Sequence, residues 1–276
     1  MSATPSASAT SLAPGAPLFP QAPGMVSYTY RNEFQKDVSG TLDLIRGLGI
    51  TDMEFSNLFG LTAPVLRALL DERGMVCSSY GVQYPDLVEK TAQVGETANI
   101  LGAKFVRVAW FAHEAPFSLE QARRVVADFN RAGKILREEH GIDYCFHNHG
   151  FEFQPHGDGT LFDYIVRETD PRYVSFELDI LWAFFPGHDP AALLLKYPDR
   201  FRLMHLKDLR KGVPGDLTGQ TPTENDVALG TGQLDLPAIL KAARRTRIEH
   251  YYIEDESPSI AVQVPQSIAY LKALSE

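Results

Sequence analysis

Residues 144–152 read Tyr-Cys-Phe-His-Asn-His-Gly-Phe-Glu, an apolar run that turns polar at His147, Asn148 and His149. Side chains alternate across a strand, so His147 and His149 share one side and Asn148 takes the other. One His-x-His at a strand end is ordinary. Three later apolar runs end the same way: 175–179 in Asp179, 202–208 in His205, Lys207 and Asp208, and 251–256 in Glu254, Asp255 and Glu256. Four strand-like segments that each deliver Asp, Glu or His at the C-terminal end point to one shared metal site. Imidazole with carboxylates suits a divalent ion of the manganese, zinc, cobalt or iron type.

The elements that must carry these groups alternate regularly. Short apolar runs at 25–30, 51–56, 75–80, 105–110, 144–149, 173–179, 201–206 and 250–253 read as strands. Between them, 38–48, 63–73, 87–101, 118–139, 161–168, 190–196, 236–245 and 260–274 read as helices. Thr62 and Pro64 open the second helix and Gly74 closes it. Eight strand-helix units in one chain predict a single-domain α/β protein, a (β/α)8 TIM barrel over 25–276. A doubly wound sheet would call for a Gly-rich phosphate loop after the first strand, where the chain instead has Tyr30-Arg-Asn-Glu33. In a barrel the C-terminal strand ends carry the chemistry, which is where the polar clusters fall. The segment 209–226, rich in Gly, Pro and Thr, reads as a long loop able to cover a site.

Composition narrows the function. The 276 residues are 44% hydrophobic and 22% charged, with a net charge of -9 at pH 7. No basic stripe offsets phosphate repulsion, so nucleic acid is an unsuitable partner. No apolar run approaches the roughly 18–20 residues that span a bilayer, which argues against a membrane partner. The cysteines, Cys77 and Cys145, fall inside predicted strands and read as buried thiols. Residues 1–24 are Ser-, Ala- and Pro-rich and read as a disordered N-terminal tail. They lack the charged and apolar regions of an intact signal peptide. A cytoplasmic protein is the simpler expectation, beside an exported form whose leader was replaced. A homo-oligomer is compatible with everything in the sequence.

Read in order, the motifs resemble the xylose-isomerase-like barrel superfamily, in particular its sugar phosphate isomerase/epimerase branch with a Tyr/Phe-His-Asn-His-x-x-Glu-Phe segment. Here that segment is Phe146-His-Asn-His-Gly-Phe-Glu-Phe153. Further matches are Glu177-Leu-Asp-Ile-Leu-Trp182, Gly187-His-Asp-Pro190, Tyr197-Pro-Asp-Arg200, His205-Leu-Lys-Asp208, Leu229-Gly-Thr-Gly-Gln-Leu-Asp235 and Tyr251-Tyr-Ile-Glu-Asp-Glu256. The resemblance covers about residues 25–274. It implies one divalent ion, manganese first, with zinc, cobalt, magnesium or iron as alternatives. Carried over by position, the ligands become His147, Asp179, His205 and Glu254. His147 stands where many relatives carry Glu, and His149 is the other candidate, as ligand or as base beside the metal.

The implied activity is isomerisation or epimerisation of a sugar or keto-sugar by proton abstraction next to a carbonyl. With His147 replacing one of the usual pair of glutamate bases, Glu254 remains, and His149, Glu152 or another group must serve the other face. That departure makes a second outcome attractive, a metal-dependent lyase or hydratase that eliminates the aglycone of a 3-keto-glycoside. A third reading, an abasic-site endonuclease on the same fold, is disfavoured by the acidic balance, and a non-catalytic sugar-binding barrel is the fourth. Lys207 either meets a substrate hydroxyl or pairs with a nearby carboxylate. Glu152 either orients a histidine or is a solvated loop residue. Trp110 and Trp182 offer flat faces to a sugar ring, and Arg31 lies near the end of the first strand.

Overall fold

The computed structural model describes residues 17–19 and 21–275. Eight parallel strands close into a barrel: β1 Gly24–Val26, β2 Asp52–Phe55, β3 Val76–Gly81, β4 Phe105–Val108, β5 Asp143–His147, β6 Val174–Asp179, β7 Phe201–Leu206 and β8 His250–Ile253. Going round the barrel, β1 is flanked by β8 and β2, so neighbours in sequence are neighbours in space. The main helices follow the strands in turn: α1 Val38–Gly47, α2 Ala63–Asp71, α3 Thr91–Leu101, α4 Leu119–His140, α5 Leu161–Glu168, α6 Pro190–Lys196, α7 Leu236–Ala243 and α8 Ile260–Ala273. This is the (β/α)8 barrel that the alternating pattern predicts.

Local chemistry sets the helix boundaries. In α4, Ser118 and Gln121 form a reciprocal capping box, and Gly141 ends the helix at φ 71. Ala122, Val125, Phe129, Ala132 and Leu136 recur every three or four residues and are buried. Thr160 and Asp163 cap α5 in the same manner.

Three details differ from the sequence pattern. The first strand is short: after Val26 the chain turns through a 3-10 segment, Ser27–Tyr30, and a brief helix, Arg31–Phe34. The helix expected over 87–101 is two, Tyr84–Glu89 and α3, broken at Lys90. The tail expected over 1–24 does not extend to 24. Residues 1–16 and 20 lie outside the described residues, but Leu18 and Phe19 are buried and Gly24 already pairs in the sheet. Leu18 donates its N–H to the carbonyl of Leu274, and Phe19 packs edge-on against Tyr251 at 5.2 Å. Two large apolar groups suffice to hold this stretch down, which its Ala- and Pro-rich surroundings hid.

Inside the barrel the side chains form levels. Val26, Phe105, Cys145, Leu203 and Tyr252 make an apolar plug. Two residues further along the same strands stand Arg107, His147 and His205, with Glu54 and Glu177 beside them. Alternation therefore puts a charged level on an apolar one, and the charged level faces the C-terminal mouth.

Candidate metal centre and its cavity

Asp179, His205 and Glu254 converge at the ends of β6, β7 and β8, with one donor atom from each within 4.8 Å of the others. His205 Nδ1 lies 2.8 Å from Glu254 Oε2 and 3.9 Å from Asp179 Oδ2. His147, at the end of β5, brings Nε2 to 3.8 Å from Asp179 Oδ2. Three of the four residues that the sequence nominates meet at the rim, and His147 reaches Asp179 from β5.

A second set of donors, His147, Glu177 and His205, also lies within 4.8 Å. Hydrogen bonding distinguishes the two. His147 Nδ1 bonds Glu177 Oε2 at 2.9 Å, and His205 Nε2 bonds Glu54 Oε1 at 2.8 Å. Each imidazole is tied to a deeper carboxylate by one nitrogen and presents the other toward Asp179. This is how metal-binding histidines are usually oriented, with a carboxylate fixing the tautomer. Glu54 and Glu177 would therefore be the orienting groups for an ion bound by the rim set.

Arg107 braces both orienting glutamates. Its Nη2 lies 2.6 Å from Glu54 Oε1 and its Nε 3.4 Å from Glu177 Oε2. Ser79 adds a hydroxyl donor to Glu54 at 2.6 Å. Burial raises Glu54, but Arg107 and His205 outweigh it and hold the carboxyl down to about 2. Glu177 goes the other way: burial, then repulsion from Glu54, pushes it well above the usual carboxylate range.

The charge balance of the centre favours a cation. Glu54, Glu177, Asp179, Asp226, Glu254 and Glu256 gather around two fixed positive groups, Arg107 and Lys207. Burial pushes Asp179 up to about 7 despite Lys207 and His205. Glu177 Oε1 and Asp179 Oδ2 are buried with no hydrogen-bond partner among the described residues. Unpaired buried carboxylate oxygens are costly, and a divalent ion at the rim would compensate Asp179. The donor chemistry, two imidazoles and two carboxylates, fits such an ion.

Asn148 fixes the geometry from the opposite face of β5. Its side chain accepts from the N–H of Asp179 and donates to the carbonyl of Asp179, at 3.0 and 3.1 Å. Asp179 Oδ1 in turn accepts the N–H of Trp182, opening the short helix Ile180–Phe184. One oxygen of Asp179 is used in capping and the other is left for the ion.

Over the centre lies a cavity of about 540 Å³. His149, Trp110 and Trp182 form one wall, with ring centroids 5.2 and 5.7 Å from His149 to the two indoles. Burial holds His149 neutral, down to about 3, against the opposing pull of Glu254 and the Ala109 backbone, and its Nδ1 is buried. Gln220, Thr221 and Thr223 of the long loop also line the cavity, so that loop covers the site as its composition predicts.

Three nominated residues have other jobs. Lys207 does not line the cavity; it is buried and paired with Glu256 at 2.7 Å, Glu254 at 3.4 Å and Asp226 at 3.5 Å. The ion-pair alternative is the one the structure adopts. Glu152 is fully buried and accepts the backbone N–H groups of His149 and Gly150, which shapes the turn after β5 and leaves it facing away from the cavity. Arg31 lies over the ring of Tyr28 at 4.5 Å and bonds its carbonyl, so it supports a lining residue without being one.

Sequence reasoning missed Asp208 as an organiser. Its carboxylate accepts four backbone N–H groups, from Leu209, Gly230, Gly232 and Leu234, at 2.9–3.2 Å. The Gly-rich 229–235 motif is thus a cradle that ties both ends of the covering loop to β7. Asp208→Ala strands buried donors, and we expect a loss of about 2–4 kcal/mol of stability together with a raised KM. Urea denaturation of the variant checks the first, and a loss below about 0.5 kcal/mol would show that water replaces the carboxylate.

The comparisons with known proteins agree with this architecture. The family described as "Xylose isomerase-like TIM barrel" matches residues 42–274, and the chain belongs to it. Among curated proteins, an inosose dehydratase of Geobacillus kaustophilus is 27% identical over 194 residues, 60% of this chain and 60% of that protein. The match thus spans less than two thirds of that relative's length. A crystal structure of a sugar phosphate isomerase/epimerase from Parabacteroides distasonis superimposes with a TM-score of 0.75 at 23% identity, covering 96% of this chain and 98% of that one. The IolI protein, crystallised with a binding zinc atom, gives 0.72 at 16% identity, covering 91% and 95%. No helix among the described residues is long and apolar enough to cross a membrane.

Proposed function

We propose that the chain is a divalent-metal-dependent lyase that eliminates a β-substituent from a keto-sugar or keto-cyclitol. The observation that carries this is the convergence of Asp179, His205 and Glu254, with His147 reaching Asp179 from the neighbouring strand, beneath a cavity that the imidazole of His149 lines. When bound, a divalent ion supplies Lewis-acid polarisation of the substrate carbonyl and stabilises enolate charge. The structure with a bound zinc atom on this fold and the inosose dehydratase relative support the metal and the dehydration respectively.

His149 is the base in this reading. It removes the proton beside the carbonyl, and the C–H electrons pass into an enolate. Their return forms the C=C bond and breaks the C–O bond at the β-carbon. The proton on His149 goes to the departing oxygen, so an enone and water or an alcohol leave and the imidazole is regenerated. Trp110 and Trp182 hold the ring of the substrate and keep His149 from rotating.

Epimerisation, part of the first expectation from the motifs, needs a second base on the opposite face. Glu152 is turned into the backbone and Lys207 is held by three carboxylates, which leaves Glu254, itself a proposed metal donor, as the second base for that route. We expect the purified protein, supplied with Mn or Zn and a keto-inositol or keto-glucoside, to generate the enone absorbance. His149→Ala should slow this by about 100-fold or more while retaining the metal. Interconversion of keto-sugars with no group lost would overturn the lyase reading.

A further inference from the structure

The cavity over the metal centre does not end there. A second hollow of about 270 Å³ adjoins it and shares Ser56, Asn57, Gly81, Val82 and Gln83 with it. Those residues lie at or just past the ends of β2 and β3, so the two hollows form one groove running outward across that edge of the mouth. On the other side the long loop blocks extension: the Cα of Gly219 sits so close that an added Cβ would come within 2.5 Å of the carbonyl of His149.

The outer hollow is suited to hydroxyl-bearing groups. Gln93, Thr97 and the Lys90–Asp86 ion pair offer donors and acceptors, and Leu58 and Val94 add apolar lining. The hollow's lip is fixed. Phe59 is held at φ 50, its N–H bonded to Asn57 Oδ1 at 2.7 Å and its ring stacked on Phe34 at 4.7 Å. A non-glycine residue in that conformation costs about 1–3 kcal/mol and persists where the surroundings impose it.

We infer that the groove takes a two-ring substrate, a keto-sugar in the inner cavity bearing a second polar ring in the outer one. This rests on the proposed elimination and specifies its leaving group. Loss of water needs only the inner cavity, which at about 540 Å³ already suits a small ligand. With a second ring, the C–O bond that breaks is the one joining the rings. Its electrons stay on the oxygen, which takes the proton carried by His149, and the outer ring departs as an alcohol.

Calorimetric titration of the metal-loaded protein with glucose, maltose and cellobiose tests the subsite apart from the chemistry. We expect one of the two-ring sugars to bind at least about tenfold more tightly than glucose, about 1.4 kcal/mol. The exposed double variant Lys90→Ala, Gln93→Ala should erase that gain. Equal affinity for one and two rings, or a gain untouched by the double variant, overturns the inference. Turnover of keto-glucose and keto-maltose then separates the two claims. A binding gain with no enone from either sugar would sink the lyase reading and leave the subsite standing. Enone from the one-ring sugar at an equal kcat/KM would sink the subsite and leave the lyase.

Discussion

Asp179→Asn protein, purified and dialysed, is expected to lose its divalent metal. Asparagine keeps the oxygen that caps the N–H of Trp182 but replaces the unpartnered carboxylate oxygen with an amide of no net charge. Partners one layer beyond a metal are commonly worth about 10–100-fold in affinity. A direct donor should exceed that, so we expect metal affinity to fall by at least about 100-fold. Activity should fall by about 1,000-fold or more, since Lewis-acid stabilisation accounts for several kcal/mol of a barrier. The fold should survive, because burial pushes Asp179 up to about 7 and a neutral side chain at this place is close to what the metal-free protein already tolerates. Elemental analysis beside a thermal melt tests both halves. A variant that keeps stoichiometric metal would remove Asp179 from the ligand set.

Arg107→Leu should produce the largest loss of stability. The guanidinium is 6% exposed and contacts Glu54 and Glu177, both fully buried. Leucine restores much of the volume but leaves Glu54, a carboxyl held down to about 2, with Ser79 and His205 as its remaining partners. Breaking a buried ion pair from one side costs about 3–5 kcal/mol, because the other charge stays behind. For a domain of this size that is a fall of about 6–20 °C in Tm. Adding Glu54→Gln should restore part of the loss, a coupling that independent sites would not show. If Arg107→Leu melts within about 2 °C of the parent, water must reach the charged level of the barrel.

Much of this was legible before any coordinates. The strand ends that carry His147, Asp179, His205 and Glu254 are visible because an apolar run that stops in Asp, Glu or His marks both the end of a strand and its chemistry. Glu54 and Glu177 were harder to place. Glu177 lies two residues before Asp179, so alternation puts both on the same face, but a glutamate in mid-strand gives no sign of its depth. Glu54 has a polar neighbour, Asp52, which bonds His250 at the opposite end of the barrel, and nothing local separates the two roles. Arg107 reads as one charge in an apolar strand until its partners on β2 and β6 are in place. The surroundings of Glu152 and Lys207 were hidden for the same reason. Both sit beside the right residues in sequence, but the turn after β5 folds Glu152 back on its own backbone and three acidic groups from elsewhere hold Lys207. Asp208 was hidden because its four donors come from the backbone, which carries no sequence signature beyond the glycines that allow a close approach.

The single guanidinium shared by the two orienting glutamates has a bearing on how this centre could be redesigned. His147 and His205 hang from one support, so neither can be re-aimed alone. A library that varies only the rim would explore ligands whose angles are already dictated from below. New ion preference, or a new hand of substrate, should therefore emerge from position 107 together with its two acidic partners, as a concerted triple change.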